Sequence, residues 1–210
     1  MGSTRELGAR IELVSMDPHC SNITIGLYEQ FVGSTPQYLV HSYSTLPKGR
    51  ARLDAIEHAM QVLGGLELGE GLLRFACGAR HQLAIRRTFL EACKLPSETS
   101  AEVRPMTVVD KKLNAAVTVR GLGSGLYELS SEAAAEEAPT RLDSIVNGYR
   151  KLAELDVIPG EPHRFRFACG QNHDALVGLL LPRALNVRAV LREQEMAAGR
   201  GTLVAPSAQK

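Results

Sequence analysis

The chain has 210 residues, 44% of them hydrophobic and 22% charged. Such a chain buries a real core as one generous domain or two small ones, which excludes a disordered, collagen-like or disulfide-scaffold protein. With 24 Lys plus Arg against 23 Asp plus Glu, only 5% aromatic residues and no Trp, it lacks both the charge and the stacking surface of a dedicated nucleic-acid binder.

In chain order, β-branched, extended-looking segments come first, at residues 11–16, 23–28 and 38–43, with a hairpin loop at Gly33-Ser34-Thr35-Pro36. Leu53, Ile56, Met60 and Leu63 then fall on one face of a helix. A short apolar strand at 72–76 ends at Cys77-Gly78 and runs into a second helix. After a Pro- and Ser-containing connection the pattern begins again. Strands are predicted at 106–109, 116–121 and 125–129, and the glycine-rich Gly121-Leu122-Gly123-Ser124-Gly125 is read as a hairpin loop. It precedes a strand rather than a helix, so it lacks the context of a dinucleotide loop. An acidic, Ala-rich stretch at 131–139 leads into a helix carrying Leu142, Ile145, Tyr149 and Leu152, with Thr140 as its expected N-cap. A strand at 165–168 and an apolar helix at 175–185 follow, the latter with a kink or break expected at Pro182.

The two halves match in order as well as in pattern. Arg74-Phe75-Ala76-Cys77-Gly78-Ala79-Arg80-His81 recurs as Arg166-Phe167-Ala168-Cys169-Gly170-Gln171-Asn172-His173, with six of eight positions identical at an offset of 92. Arg52-Leu53-Asp54 recurs as Arg141-Leu142-Asp143 at offset 89, and Ile23-Thr24-Ile25 is echoed by Val117-Thr118-Val119 at offset 94. The expected fold class is α+β, internally duplicated, with two β-β-β-α-β-α halves packed about a pseudo-twofold axis. Residues 1–96 make the first half, 97–104 the linker, 105–196 the second half and 197–210 a flexible tail. This element order resembles the duplicated half-domains of the imidazoleglycerol-phosphate dehydratase family. That family carries paired histidines and a nearby glutamate after the last strand of each half, holding two metals. This chain has a single His81 or His173 there, preceded by Cys-Gly and with no matching Glu.

Candidate chemistry centres on the repeated Cys-Gly-x-x-His turns. A thiol near a helix N-terminus is favoured as thiolate by the helix dipole, and a histidine four residues on reaches the same turn. Cys77, His81, Cys169 and His173 are therefore the candidate catalytic groups. Gly78, Arg80, Gly170 and Asn172 are the candidate ligand contacts, because a strand–Gly–helix junction presents backbone N–H groups to an anion. The plainer alternative makes each Cys a small buried residue closing its strand, each Gly the enabler of the sharp turn, and each His a satisfied polar group. A third alternative unites the two turns into a Cys2His2 zinc site. Its spacing is not a known strong metal signature, so no metal ligands are assigned and no cofactor is named.

Asp54 and Asp143 are weaker carboxylate candidates that suit a helix first turn; His58, four residues after Asp54, would make a dyad in the first half only, since Asn147 stands at the matching position, and Asp17 and Asp110 read as turn residues bonding their own backbone. His19 and Cys20 stand beside Asp17 with no visible partner pair. The four cysteines, Cys20, Cys77, Cys93 and Cys169, are expected as free thiols in a cytoplasmic protein. Functionally the sequence suggests an enzyme or binding protein for a small, anionic metabolite, with its site near the repeated turns. The alternatives are a non-enzymatic assembly protein and a metal-dependent lyase or hydrolase of dehydratase-like fold. The expected partners are a small molecule and further copies of the chain, without nucleic acid or membrane.

Overall fold

The computed structural model describes residues 10–19, 23–42, 47–133 and 136–186. Within them lie two antiparallel five-stranded sheets and four helices. The first sheet contains β1 (Arg10–Met16), β2 (Thr24–Val32), β3 (Thr35–Ser42), β4 (Leu66–Gly69) and β5 (Leu72–Phe75), in the order β1-β2-β3-β5-β4. Helix α1 (Pro47–Gly64) connects β3 to β4, and α2 (Gln82–Lys94) follows β5. The second sheet contains β6 (Thr107–Asp110), β7 (Ala115–Gly123), β8 (Leu126–Ser131), β9 (Leu155–Val157) and β10 (Arg164–Phe167), in the order β6-β7-β8-β10-β9. Helix α3 (Ala138–Arg150) connects β8 to β9, and α4 (Asp174–Leu185) follows β10. Cys20 and the expected tail at 197–210 lie outside the described residues. Among the described residues no helix is long and apolar enough to cross a membrane.

Each sheet therefore has one more strand than the sequence leads one to expect, and the element order is β-β-β-α-β-β-α rather than β-β-β-α-β-α. The extra strands, β4 and β9, are four and three residues long, too short to show a clear alternation. Glycine chemistry explains β4. Glu70 and Gly71, at φ +53° and +78°, form a two-residue turn that pairs Gly69 with Leu72. Likewise the β7–β8 turn is only Ser124-Gly125, at φ +49° and +71°, and Gly121–Gly123 belong to β7 itself.

The periodic helix residues face inward as expected. Ile56, Met60 and Leu63 of α1 and Ile145 and Tyr149 of α3 are buried, and α1 stops where Gly65 takes the left-handed conformation of a helix C-cap, at φ +64°. Helix α3 starts earlier than expected: Thr140 lies in its first turn, and the N-cap position is Glu137, which makes no side-chain cap. The chain runs helically through Pro182 to Leu185, so no break occurs there. Only three helical residues follow that proline, and a helix end has little further hydrogen bonding to lose.

One contiguous hydrophobic cluster draws on both sheets and all four helices. The short strands show why the Arg-Phe pair recurs. On β5 and β10 Leu73, Phe75, Phe165 and Phe167 point inward while Arg74 and Arg166 point out. The two sequence halves also meet through polar contacts. Arg183 of α4 donates from Nε to Glu91 Oε1 of α2 at 2.9 Å, with a second contact from its Nη2 to Oε2. Helix α4 presses against the connecting segment at Gly178, where a Cβ would overlap the Arg104 carbonyl.

Candidate metal centre

Sequence places Cys77 and Cys169 two residues beyond the inward-facing Phe75 and Phe167, so each thiol continues the buried face of its strand. Gly78 and Gly170 then adopt φ +67° and +71°, a conformation that costs a side-chain-bearing residue about 1 kcal/mol or more. This reverses the chain, and each glycine N–H donates to the phenylalanine carbonyl at 2.9 Å. The next amides, those of Ala79 and Gln171, point back at the Cys77 and Cys169 sulfurs at 3.4 Å. His81 and His173 occupy the N-cap positions of α2 and α4 without capping them. Their rings turn inward instead, and each Nε2 meets the cysteine four residues earlier, at 3.2 Å for Cys77 and 3.1 Å for Cys169.

The two turns converge. The His81 and His173 ring centroids are 4.7 Å apart, and the four potential ligand atoms all lie within 4.8 Å of one another. A tetrahedral zinc with two thiolates and two imidazoles has ligand–ligand edges of roughly 3.3–3.8 Å, given Zn–S near 2.3 Å and Zn–N near 2.0 Å. The cluster is thus within small side-chain adjustments of a one-ion site. Phe75 and Phe167 wall it, with centroids 4.9 Å from His81 and 4.7 Å from His173 respectively.

Electrostatics at the turns differ from the sequence expectation. Burial pushes the Cys77 thiol up to about 11, despite the Ala79 N–H that favours its thiolate. Burial pushes His81 down to about 4, helped by the charge of His173, and burial lowers His173 as well. Helix α2 begins only at Gln82, so its dipole does not dominate at Cys77. At neutral pH Cys77 is a thiol and both imidazoles are neutral. At Cys77 and His81 that combination does not suit a Cys–His nucleophilic pair, which needs a thiolate. Neutral imidazole is the metal-binding form, and a dication displaces the thiol protons while two thiolates cancel its charge.

A further residue belongs to the site. Glu154, just before β9, accepts the Leu83 N–H of α2 on Oε1 at 2.7 Å. Its Oε2 lies 3.9 Å from His81 Nδ1, and both atoms are buried without a hydrogen-bond partner. With a metal on Nε2 the His81 proton sits on Nδ1, facing this carboxylate, the usual outer partner of a metal-bound histidine. Sequence reasoning missed Glu154 because its counterpart at offset 89 is Gly65, so no repeat marks it.

The remaining candidates make contacts within the fold. Arg80 is held by Glu29 through two hydrogen bonds, of 2.8 and 2.6 Å, and its charge is thereby committed. Asn172 Oδ1 accepts the Gly125 N–H at 2.8 Å and so fastens the β7–β8 turn. Asp54 makes an exposed pair with Arg50, and Asp143 lies 3.4 Å from His163. In the Arg-Leu-Asp motif it is the arginine that is invested. Arg52 pairs with buried Asp17 and donates to the Leu95 and Cys93 carbonyls at 2.6 and 2.7 Å. Arg141 pairs with Asp110 at 2.5 Å and donates to the Leu185 carbonyl at 2.8 Å. Asp17 and Asp110 also accept the N–H two residues on, as turn aspartates do. His19 Nε2 lies 2.8 Å from the Lys94 carbonyl, away from the cluster. Cys93 is buried in the core with its thiol pushed up to about 12 by that burial.

No protein-family model, no curated protein and no solved structure matches the chain. The likeness to the dehydratase family therefore rests on the expected element order alone, which the β4–β5 and β9–β10 hairpins change.

Proposed function

We propose that this chain is a zinc-binding protein in which Cys77, His81, Cys169 and His173 form a closed, four-ligand structural site. The observation that carries the reading is the mutual approach of four soft and borderline donors, two from each sequence half, within 4.8 Å. Four protein ligands fill the coordination shell, leaving no position for a substrate, as in structural rather than catalytic zinc sites. The neutral imidazoles and the amides aimed at both sulfurs support it. So does the outer carboxylate of Glu154.

In this reading the two halves are copies of one unit, related by duplication about a pseudo-twofold axis, and the metal clasps them where their second-helix turns meet. One turn alone supplies two ligands, too few to hold zinc, so a fused pair, or a dimer of the unit, is what makes the site. Outer strands β1, β4, β6 and β9 leave sheet edges for pairing with further copies, the basis of the homo-oligomer expectation.

Cobalt(II) titration of the metal-stripped full chain tests the assignment. A tetrahedral S2N2 site gives intense visible bands and thiolate charge transfer at one equivalent, displaced by zinc. A pale, octahedral spectrum, or none, would count against it. The competing enzyme reading makes Cys77 or Cys169 a nucleophile; thiol alkylation at neutral pH in the native, metal-free protein would favour it.

A further inference from the structure

Glu154 reaches α2 from the other sequence half, and what it does there is absent at α4. Its carboxylate takes the Leu83 N–H, at 2.7 Å, and faces His81 Nδ1. The offset of 92 that relates His81 to His173 relates Leu83 to Ala175, and the offset of 89 that relates Arg52 to Arg141 relates Gly65 to Glu154. At Gly65 there is no side chain, and a Cβ there would sit 3.5 Å from the Ala175 Cβ. The space is a cleft of ≈ 200 Å³, bordered by Gly64, Gly65, Cys77, Asn172, His173 and Ala175 among others.

Two residues that border this cleft, Ala175 and His173, carry candidate donors. Ala175 is the second residue of α4, and the first helical bond there is Val177 N–H to the His173 carbonyl, so its N–H has no acceptor within the helix. His173 is only 8% exposed. Its Nε2 faces Cys169 and its backbone N–H donates to Tyr127, while its Nδ1 has no partner among the described residues. With a metal on Nε2, or with the Cys169 thiol proton turned to Nε2 rather than to the Gln171 carbonyl, the N–H is on Nδ1. Asp174, the acid that borders the cleft, turns toward the second sheet, where its Oδ1 accepts the Tyr127 hydroxyl at 2.8 Å.

We propose that this cleft binds a small monocarboxylate, which bridges Ala175 N–H and His173 Nδ1–H as Glu154 bridges Leu83 N–H and His81. The ligand class follows from the internal counterpart, a carboxylate, and from the neighbouring Asp174, which disfavours a dianion. The proposal goes beyond the zinc reading and does not depend on it.

The test is ¹⁵N NMR titration of the full chain with acetate or formate, against sulfate and chloride at matched ionic strength. Acetate is expected to give saturable shifts of the Ala175 and Leu176 amides, with sulfate ineffective. Two variants separate donor from space. Ala175→Pro removes the N–H at a helix position where α3 already carries Pro139. Ala175→Leu keeps the N–H and fills the cleft. Each is expected to weaken acetate binding at least about tenfold, followed at Leu176: Ala175→Pro by losing a charge-assisted hydrogen bond, Ala175→Leu by excluding the ligand. Zinc content and melting are measured alongside, so that a failed metal site and a failed carboxylate site read differently. Absence of a saturable shift in the parent protein, or unchanged affinity in a folded Ala175→Leu, would overturn the proposal.

Discussion

Replacing Cys169 with serine removes one thiolate from the proposed metal site with little change in shape. The ligands come from two turns that are far apart in sequence, one before α2 and one before α4. Metal bound there stabilises the native state of both halves together. At free zinc about 1,000 times the dissociation constant, the linkage contributes about 4 kcal/mol. For a chain of this length each kcal/mol shifts the melting temperature by roughly 2–4 °C. The unmodified protein should therefore melt about 8–16 °C lower with a strong chelator than with saturating zinc, by circular dichroism. Cys169→Ser should melt low in both conditions. Cys93→Ser supplies the control. That thiol is buried in the core, 3% exposed, and outside the cluster. Its replacement costs stability by burying a hydroxyl, but the chelator-dependent difference should survive. If chelator leaves the parent protein unmoved and Cys169→Ser melts with it, the clasp argument is wrong.

Glu154→Gln should lower zinc affinity about 10–100-fold, the usual cost of losing an outer carboxylate, in competition with a chromophoric chelator; unchanged affinity would reduce Glu154 to a helix cap. Arg52→Ala should destabilise the protein by about 3–5 kcal/mol in urea unfolding, because it strands the buried Asp17 carboxylate. Arg141→Ala should cost less, since the Arg141–Asp110 pair is more exposed, at 11% and 4% against 2% and 0%; equal costs would contradict the burial argument. Burial alone would raise the Asp110 carboxyl, but hydrogen bonds from Arg141 and the Lys112 N–H, with their positive charges, outweigh it and hold it below the usual range. Its contribution is then fully present above the unfolded value near 3.9 and is lost as pH falls through the folded value. The stability curve of Asp110→Asn should lie below that of the parent at pH 7 and approach it on acidification; parallel curves would refute the assignment.

Much of the site was written in the sequence, because the recurring Arg-Phe-Ala-Cys-Gly run named Cys77, Cys169 and, four residues on, both histidines. The α+β class was equally legible from strand and helix periodicity. What the sequence could not show was that the two turns meet. Convergence depends on how the helices of both halves pack, and no local pattern encodes that. Without it, the spacing within each turn favoured a catalytic pair over a metal. The motif Arg-Leu-Asp drew attention to its aspartate, whereas partnership with Asp17 and Asp110 makes the arginine the working residue. That partnership spans 35 and 31 residues and becomes visible only in space. Strand β4 was lost in a glycine-bounded four-residue segment, and Glu154 was lost because only one half has it.

Zinc K-edge X-ray absorption on the purified full chain, with metal quantified per polypeptide, tests the four-ligand site most directly. The expected result is one zinc per chain with two sulfur neighbours and two nitrogen neighbours at roughly the usual zinc distances, about 2.3 Å and about 2.0 Å. A zinc shell of oxygen and nitrogen alone, or a fully folded protein that takes up no metal, would contradict it.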